Sequence, residues 1–560
     1  MVQISLFRPF LRLGVVLVGM FTLANPSSAQ LRVVTYNTAN GSFPGNNIFP
    51  RTGMDTVLEA IGDEVVNGIA KPIDVLILQE QDEPTTTSQA FVDILDGLYG
   101  SGTYAAFSLQ SGPGGTSIRQ TMVVNIQTVT GLGQVAFGAT GISAAARETA
   151  RFHIRPAGYD SSADLYVYND HYKAGSSCCG TTSDQARRNF EAQTVRVDSD
   201  FLGQGTHAIY AGDYNIQSST EAMYQTLLAA GNGQAFDPIN MPGSWNHAPS
   251  FAAIHTQSPH DGSDGLTTGG MDDRFDFQLV TEELLDGEGL SYIGGSYHAF
   301  GNDGVSYNQA INNTFVGRSQ SASVLNALAH VSDHLPVVAD YQIPASMDVQ
   351  VDTIPATVNL GDTVNIDVMI ENIADVVAAL GADELDYSLS VTGDLSGNAS
   401  GSILALAGSD IQQISFDTSS VGMRSGTLTV SSSSQAVANG LFSLPISFEV
   451  LSAFLEADFN EDGDVDATDL AAWESGLGLT GSATKAQGDA NGDQDVNGAD
   501  FAIWQQQLGQ STNLAASTHT VPEPRTGTYV CLTIIATVLS SRVSRRRASE
   551  KWCFSIRPEG

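Results

Sequence analysis

Cysteine is scarce in this chain, with four among 560 residues. Cys178 and Cys179 are adjacent, whereas Cys531 and Cys553 lie near the end of the chain. This count excludes a small fold held together by a framework of disulfides. Adjacent cysteines can close only a strained ring. A vicinal disulfide, an intermolecular bridge and two free thiols therefore all remain open for Cys178 and Cys179.

Positive charge is scarce as well. The chain has 24 Lys and Arg against 61 Asp and Glu, a formal net charge of −37. Such a balance repels nucleic acid and anionic membranes unless local patches or cations intervene. The sequence has no HExxH or CxxC motif, and its few histidines are scattered, which disfavours a zinc site.

The chain is too long to fold around one ordinary core, so two to four domains are expected.

Long apolar runs are confined to the two ends of the chain. Residues 1–29 predict a secretory signal, in which Arg8 and Arg12 precede an apolar stretch at 13–23. A membrane anchor or a buried helix is the alternative. At the other end, VPEP at 521–524 is followed by an apolar run and by the arginines 545–547.

The C-terminal pattern resembles PEP-CTERM sorting signals. The resemblance covers 521–547, ahead of a tail at 548–560, and implies an exosortase-like processing enzyme. A weak membrane anchor is the alternative reading. Together the two ends predict an exported protein, extracellular or attached to the cell envelope.

Residues 30–343 alternate between strand-like and helix-like segments. A helical apolar period runs over 54–69, and a second helix is expected over 184–201. This alternation predicts a layered α/β domain. The strand candidates are LRVVTYN (31–37), DVLILQE (74–80), DLYVYNDH (164–171), HAIYAGDYN (207–215), RFDFQLV (274–280) and LPVVADY (335–341).

Residues 347–451 change character. They are poor in Lys and Arg and contain short alternating runs such as VNIDVMIEN and SGTLTVSSS. Strand-sized pieces at turn-sized spacing predict an immunoglobulin-like β-sandwich. We expect a spacer or adhesion module here.

Residues 456–510 contain an internal repeat, in which DFNEDGDVDATD (458–469) and DANGDQDVNGAD (489–500) each precede a matched helix. Oxygen side chains at positions 1, 3, 5 and 12 suit Ca²⁺, and the backbone carbonyl of position 7 would complete each loop. The expected calcium ligands are Asp458, Asn460, Asp462, Asp464, Asp469, Asp489, Asn491, Asp493, Asp495 and Asp500.

The two loops resemble dockerin type I repeats, which implies a small all-α module. Gln494 departs from this pattern, because it replaces the usual glycine at position 6 of the second loop. The resemblance implies either a cohesin-like protein partner or a folded calcium-binding spacer. Residues 511–520 are expected to link this module to the tail.

Polar residues stand at the ends of most strand candidates in 30–343. Carboxylates and amides are the ligands that Mg²⁺ or Mn²⁺ prefers, and histidines move protons near neutral pH. Because strand ends in layered α/β domains line clefts, we expect these residues to meet. Asp276 is expected to orient His334. The residues are Asn37, Glu80, His171, Asp213, Asn215, Asp276, Asp333 and His334.

Six segments in order resemble the endonuclease/exonuclease/phosphatase superfamily: VVTYNTAN, LILQEQD, VYNDHYKAG, YAGDYNI, DRFDFQLV and VSDHLPVVAD. The resemblance implies a four-layer α/β sandwich with two central β-sheets. It implies metal ligation by Asn37, Glu80 and Asp333. It also implies catalytic roles for His171, Asp213, Asn215, Asp276 and His334.

Other polar residues are ambiguous. Arg147 and Lys173 are candidates for binding the substrate phosphate, and Arg151 is either a second clamp or a surface ion pair. His255 either reaches the rim of the cleft or is simply exposed. Asp272 and Asp273 suit loop capping as well as ligation.

The predicted function is metal-dependent hydrolysis of phosphodiesters by a secreted enzyme, with extracellular DNA as the leading substrate class. A phospholipid phosphodiesterase of the sphingomyelinase kind and a phosphomonoesterase are the alternatives among enzymes. The rival is a non-catalytic cell-surface scaffold. Nothing in the sequence favours it, because each position expected to be catalytic carries a residue of the expected type. The oligomeric state is left open.

Overall fold

A computed structural model describes residues 30–39, 50–81, 83–109, 120–138, 147–260, 262, 264–451 and 455–511. The chain divides into two compact units between Val450 and Leu451. The expected signal at 1–29, most of the linker, the sorting signal and the tail lie outside the described residues, and so do Cys531 and Cys553.

The first unit begins with a mixed α/β region. Its strands are β1 (Leu31–Asn37), β2 (Val75–Gln79), β3 (Tyr104–Ser108), β4 (Thr121–Asn125), β5 (Val129–Phe137), β6 (Thr149–Pro156), β7 (Leu165–His171), β8 (His207–Asp213), β9 (Asp276–Val280), β10 (Ser291–Tyr292), β11 (His298–Ala299) and β12 (Val337–Gln342). Its helices are α1 (Met54–Asp63), α2 (Pro84–Tyr99), α3 (Asp184–Leu202), α4 (Ala222–Leu228) and α5 (Ala322–Val331).

The strands form two sheets that pack face to face. One sheet has the order β10-β12-β1-β2-β4-β3, with β11 beside β12, and the other has the order β5-β6-β7-β8-β9. Alternate residues of β1 face opposite ways. Val33 lies in the apolar layer between the sheets, and Val34 packs with α1, α2 and α5. Helices α3 and α4 cover the second sheet. The expected four-layer α/β sandwich is confirmed.

The strand predictions are correct to within about two residues, but the helix predicted over 54–69 is too long. Helix α1 ends at Asp63, and Val66 and Ile69 instead pair across a tight turn. Asn67 and Gly68 take positive φ angles of 53° and 81° at this turn. The helical spacing of apolar residues continues past the turn, so the Asn-Gly pair is the only feature of the sequence that marks the end of the helix.

The rest of the first unit is a β-sandwich. Its strands are β13 (Met347–Val351), β14 (Thr357–Asn359), β15 (Asn365–Asn372), β16 (Leu385–Gly393), β17 (Leu395–Ser396), β18 (Ala399–Ile403), β19 (Asp410–Phe416), β20 (Gly422–Ser432) and β21 (Leu441–Leu451). They form the sheets β13-β15-β19-β17 and β14-β21-β20-β16-β18 around one apolar core.

The sandwich packs directly on the α/β region. Backbone bonds join Ile343 to Gly381 (3.0 Å) and Asp383 to Ile343 (2.8 Å). Val376 and Ala382 belong to the same apolar cluster as the layer between the two central sheets. The sandwich is therefore a packed neighbour of the α/β region rather than a detached spacer.

The second unit contains α6 (Ala467–Gly476) and α7 (Gly498–Gln507), one after each acidic loop. The two repeats hold each other reciprocally. Trp473 Nε1 donates to the Asn497 carbonyl (2.9 Å), and Trp504 Nε1 donates to the Asp466 carbonyl (3.0 Å). Each tryptophan thus bonds the residue that caps the other repeat's helix.

Throughout the described part of the chain, no helix is long and apolar enough to cross a membrane.

Candidate active site

Strand register brings the polar strand ends to one edge of the two sheets. Strand β1 runs parallel to β2, so Asn37 lies level with Gln79 and Glu80 follows directly. Strand β7 runs parallel to β8, so His171 lies level with Asp213. Strand β9 is antiparallel to β8, so its first residue, Asp276, faces the same carboxylate.

The segment before β12 reaches the same edge because β12 is antiparallel to β1. Ser332 Oγ donates to the Asn37 carbonyl (2.6 Å) and accepts from the His334 amide (3.1 Å). This local turn places His334 beside the end of β1.

A buried amide joins two carboxylates at the centre of the cleft. Asn37 Nδ2 donates to Glu80 Oε1 (3.2 Å) and to Asp213 Oδ2 (3.1 Å). His171 Nε2 lies 3.5 Å from the same Glu80 oxygen and 3.4 Å from the same Asp213 oxygen. Glu80 has a φ of 59°, a left-handed conformation that side chains adopt only when their surroundings impose it.

His334 and Asp276 form the expected pair. The ring Nδ1 lies 2.8 Å from Asp276 Oδ2, and both residues are buried. Burial opposes the charged ring, but the carboxylates of Asp276 and Asp213 outweigh it and raise the pKa of His334 well above its usual value. The ring is therefore an imidazolium near neutral pH in this structure.

The second ring nitrogen of His334 faces the cleft. Nε2 lies 3.8 Å from Asp213 Oδ2 and 2.9 Å from Gln257 Nε2. Because an imidazolium has no acceptor nitrogen, the Gln257 carboxamide must turn over and present its oxygen to the charged ring. With Nδ1 held by Asp276, Nε2 is the nitrogen that can donate to a substrate.

Burial also sets the charge of the central carboxylates. It raises the pKa of Asp213 to about 7, against the opposing charge of His334. Burial raises the pKa of Glu80 too, while the bond from Asn37 and the charge of Arg147 oppose the rise. Two desolvated carboxylates a few ångströms apart favour a bound cation, which would restore their charged forms.

The donor set fits a hard divalent metal. Glu80, His171 and Asp213 offer ligand atoms within 4.8 Å of one another. Two carboxylates suit Mg²⁺ or Mn²⁺ better than a soft metal. Asn37 would join them as a ligand only after its amide turned over, because Nδ2 faces the carboxylates and Oδ1 accepts from the Ala39 amide (3.1 Å). Asp213, Asp276 and His334 form a second close group. In this group His334 is already hydrogen-bonded to Asp276, and Asp213 lies beside the pair.

Asp333 and Asn215 flank this centre. Asp333 Oδ2 accepts from the Thr267 amide (2.8 Å), and its charge contributes to the raised pKa of His334 after those of Asp276 and Asp213. Neither close ligand group among the described residues includes Asp333. Asn215 Nδ2 donates to the Tyr172 carbonyl (3.2 Å), and the backbone N–H of Asn215 donates to Asp213 Oδ1 (2.9 Å).

The two candidate phosphate ligands lie in different surroundings. The Arg147 guanidinium donates to the carbonyls of His171 (3.3 Å) and Tyr172, so it sits at the edge of the cleft. The Lys173 ammonium pairs with Asp184 Oδ1 (3.1 Å) at the start of α3. A carboxylate therefore already neutralises Lys173, whereas Arg147 keeps its charge directed at the cleft.

Arg151 and His255, two of the ambiguous residues, have structural partners. Arg151 pairs with Asp198 (2.5 Å), which favours the ion-pair interpretation. His255 is buried rather than exposed, and its ring lies 2.9 Å from the Trp245 carbonyl.

Asp272 and Asp273 act within their loop. Asp272 pairs with His247, and Asp273 accepts from Asn246 Nδ2 (2.7 Å). Side-chain contacts within the loop therefore account for both carboxylates.

Sequence reasoning did not find Gln257 or Glu191. Gln257 contacts His334 from a loop that carries no motif. Glu191 lies on α3, and its carboxylate accepts from the backbone amides of Arg147 (2.9 Å) and Lys173 (3.0 Å). The only signal for Glu191 was an acidic residue on the buried face of a helix, which is unusual without a partner.

The acidic loops of the second unit are preorganised. Asp458 and Asp489 accept backbone amides across their loops, from Gly463 (2.9 Å) and Gln494 (2.9 Å) respectively. The position-12 residues, Asp469 and Asp500, are buried and also complete the helix capping boxes. Each loop thus directs its position-1 and position-12 carboxylates inward.

One comparison with known proteins concerns this second unit. Residues 456–515 match the model of the dockerin type I domain. The dockerin region therefore spans both acidic loops and both helices described above, and the expected resemblance is confirmed there.

Solved structures give similarities to the α/β region. A humanized D. rerio TDP2 with 14 mutations is 12% identical and covers 56% of this chain and 100% of its own, with a TM-score of 0.32. Sphingomyelinase C from Streptomyces griseocarneus is 16% identical and covers 56% and 99%, with a TM-score of 0.31.

A mutant beta toxin from Staphylococcus aureus with bound magnesium ions is 13% identical and covers 55% and 99%, with a TM-score of 0.30. No curated protein sequence matches the chain.

Proposed function

We propose that the α/β region hydrolyses phosphodiester bonds with the help of a divalent metal ion. The observation that carries this proposal is the meeting of Asn37, Glu80, His171, Asp213 and His334 at one sheet edge. They come from separate strand ends of both central sheets. A structural role does not require two desolvated carboxylates and two histidines in one cleft.

The protein side chains divide the chemistry between them. Asp213 is placed to orient and deprotonate the attacking water, because its Oδ2 lies at the centre of the cleft, 3.4 Å from His171 Nε2 and 3.8 Å from His334 Nε2. His334, held by Asp276, would donate from Nε2 to a phosphoryl oxygen. His171 would contact the scissile phosphate or protonate the leaving group, and Asn215 would hold the phosphate or the metal.

Glu80 and Asn37 would hold the metal, with Asp333 completing the site. The bound Mg²⁺ or Mn²⁺ would supply positive charge that polarises the phosphoryl group. Arg147 would add a second positive charge from the edge of the cleft.

DNA is the first substrate to test, but the described residues of the α/β region offer it few free cations. In the α/β region, Arg32, Arg51, Lys71, Arg151, Arg155, Lys173, Arg188, Arg196, Arg274 and Arg318 all pair with carboxylates. Affinity for a polyanion grows with the number of phosphates that free cations neutralise. We therefore expect weak binding and a high KM for duplex DNA.

Plasmid nicking by the full chain tests the proposal. We expect nicking with Mg²⁺ or Mn²⁺, loss of nicking with EDTA, and recovery when Mg²⁺ is restored in excess. EGTA with Mg²⁺ present removes calcium from the dockerin region and is expected to leave nicking intact. His334→Ala is expected to abolish it.

No nicking at low or high salt would remove DNA as the substrate. The same protein would then be assayed on sphingomyelin vesicles and on small phosphomonoesters. Hydrolysis of either would keep the metal-dependent phosphoesterase and change its substrate class. Silence on all three would favour the non-catalytic scaffold.

For the dockerin region we propose calcium binding by both loops and docking to a cohesin-like partner. The matching family and the inward-facing carboxylates support this proposal. It agrees with an exported enzyme that is held at a surface or on a scaffold. Calorimetric titration with Ca²⁺ tests the loops, and two binding events are expected.

A further inference from the structure

The loop that joins β7 to α3 carries two adjacent, exposed cysteines. Their sulfur atoms lie 2.9 Å apart, and both thiols are free in the structure. Cys179 has a φ of 68°, in the left-handed region that side chains seldom adopt. An oxidant that removes two hydrogens can join two sulfur atoms at this separation without any large movement of the loop.

The segments that flank the pair are firmly anchored. Asp184 accepts from the Ser177 amide (3.1 Å) and hydroxyl (2.6 Å). Arg188 donates to the carbonyls of Lys173 (2.7 Å) and Gly175 (2.6 Å). The loop is therefore fixed on both sides of the cysteines, and a change at the pair is confined to its tip.

From this geometry we infer that Cys178 and Cys179 form a reversible redox site that closes to a vicinal disulfide. The oxidant is a low-molecular-mass disulfide. The thiolate of one cysteine attacks it, forming a mixed disulfide and releasing one thiol. The thiolate of the other cysteine then attacks the sulfur of the first and releases the second thiol. The two protons leave the cysteines and end on the two released thiols, so one disulfide is reduced as another forms.

Two physical facts make this site reversible. Neighbouring Cα atoms are about 3.8 Å apart, whereas bridged cysteines usually have Cα atoms at least about 4.4 Å apart. Strained and exposed disulfides are easily reduced. A hydrogen bond with the Cys178 thiol raises the pKa of Cys179.

Mass spectrometry of the full chain tests the inference without an activity assay. Trypsin releases residues 174–187, which contain Cys178 and Cys179 as their only cysteines, so Cys531 and Cys553 do not interfere. After exposure to oxidised glutathione, we expect this peptide to be two hydrogens lighter and closed to alkylation. Dithiothreitol is expected to restore two alkylation sites.

A variant tests whether the neighbouring thiol resolves the mixed disulfide. Cys179→Ser is expected to keep glutathione on Cys178, because no neighbouring thiol remains to displace it. In the wild type the same adduct is expected to be lost as the ring closes. Persistent glutathione on both wild-type cysteines, alkylation of both after oxidation, or a bridge to a second chain would each overturn the inference.

Discussion

His334 and His153 offer a matched comparison at the level of single residues. Each ring lies 2.8 Å from an aspartate, Asp276 in the first case and Asp164 in the second. Asp164 precedes β7, at the end of that strand opposite to His171. The two pairs therefore share a geometry and differ in what lies beyond the ring.

We expect His334→Gln to lower kcat by about 10²- to 10⁴-fold, the usual contribution of a positioned proton donor. His153→Gln is expected to leave kcat unchanged, because its ring does not face the cleft. Steady-state hydrolysis of the best phosphoester substrate measures both. Equal losses in the two variants would mean that folding, rather than chemistry, had been impaired.

The acidic loops contain a second residue-level contrast. Positions 4 and 6 of each loop take positive φ: Glu461 and Gly463 in the first loop, and Gly492 and Gln494 in the second. Each loop therefore has glycine at one of these positions and a strained side chain at the other. The missing glycine at position 6 leaves the loop conformation in place and carries only an energetic cost.

Gln494→Gly is expected to raise the free energy of unfolding of the dockerin region by about 1 kcal/mol, since glycine relieves left-handed strain. Glu461→Gly should act in the same direction. Gly492→Gln serves as the reverse control, because a Cβ there would meet no neighbouring atom and only strain would be added. Calcium-dependent thermal unfolding measures all three, and a loss of stability in Gln494→Gly would contradict the argument.

At the scale of elements, buried amides tie the two central sheets together. Asn169 on β7 donates to the carbonyls of Leu78 (3.0 Å) and Thr121 (2.9 Å), and it accepts from Gln79 Nε2 (2.8 Å). These bonds cross from one sheet to the other within an otherwise apolar layer. They fix the lateral position of β7, and therefore of His171 at its end.

Asn169→Ala is expected to destabilise the fold by about 2 to 4 kcal/mol, because it leaves several buried polar groups without partners. Gln134→Ala is the matched control, since it removes an exposed amide bond to the Ser108 carbonyl (3.0 Å) and is expected to cost less than about 0.5 kcal/mol. Urea unfolding compares the two, and equal losses would refute the role assigned to burial.

At the scale of the whole first unit, one carboxylate links the α/β region to the β-sandwich. Asp383 Oδ2 accepts from the Gly289 amide (2.9 Å). Burial, aided by the charges of Glu288 and Glu384, raises the pKa of Asp383 from its usual 3.8 to about 6. The folded state therefore holds a proton that the unfolded chain releases.

The raised pKa fixes the sign of the pH dependence. The stabilisation from Asp383 is fully present below about pH 3.8 and is lost as the pH rises toward about 6. Asp383→Asn is expected to keep the bond to Gly289 and to abolish this loss. The difference in unfolding free energy between variant and wild type should grow across that window, and a constant difference would contradict the assignment.

Salt dependence is a property of the molecule as a whole. Since most cations of the α/β region are already paired, few counterions should be released when DNA binds. We expect a shallow fall of kcat/KM with salt, set mainly by Arg147 and the metal. A steep dependence, measured from 50 to 200 mM salt, would point to a basic surface that the described residues do not contain.

The sequence by itself determined β1, β2, β7, β8, β9, β12, α3 and most of the candidate site, whereas β3 to β6, α2, α4 and α5 were not predicted. Strand periods and turn residues are local, so β1 and α3 are predicted almost to the residue. The polar strand ends were recognisable because carboxylates are costly inside apolar sheets and must serve a purpose there. The acidic repeats were also recognisable from the sequence, because the ligands of each loop are close together in the chain and follow a fixed spacing.

Only the tertiary structure decided which of these residues meet. Strand register places Asn37 within hydrogen-bonding distance of both Glu80 and Asp213. Tertiary packing pairs Lys173 with Asp184 and places Arg147 at the edge of the cleft. Gln257 reached His334 from a distant loop. Such contacts join residues far apart in the chain, and their energies depend on burial and distance, which no local pattern contains.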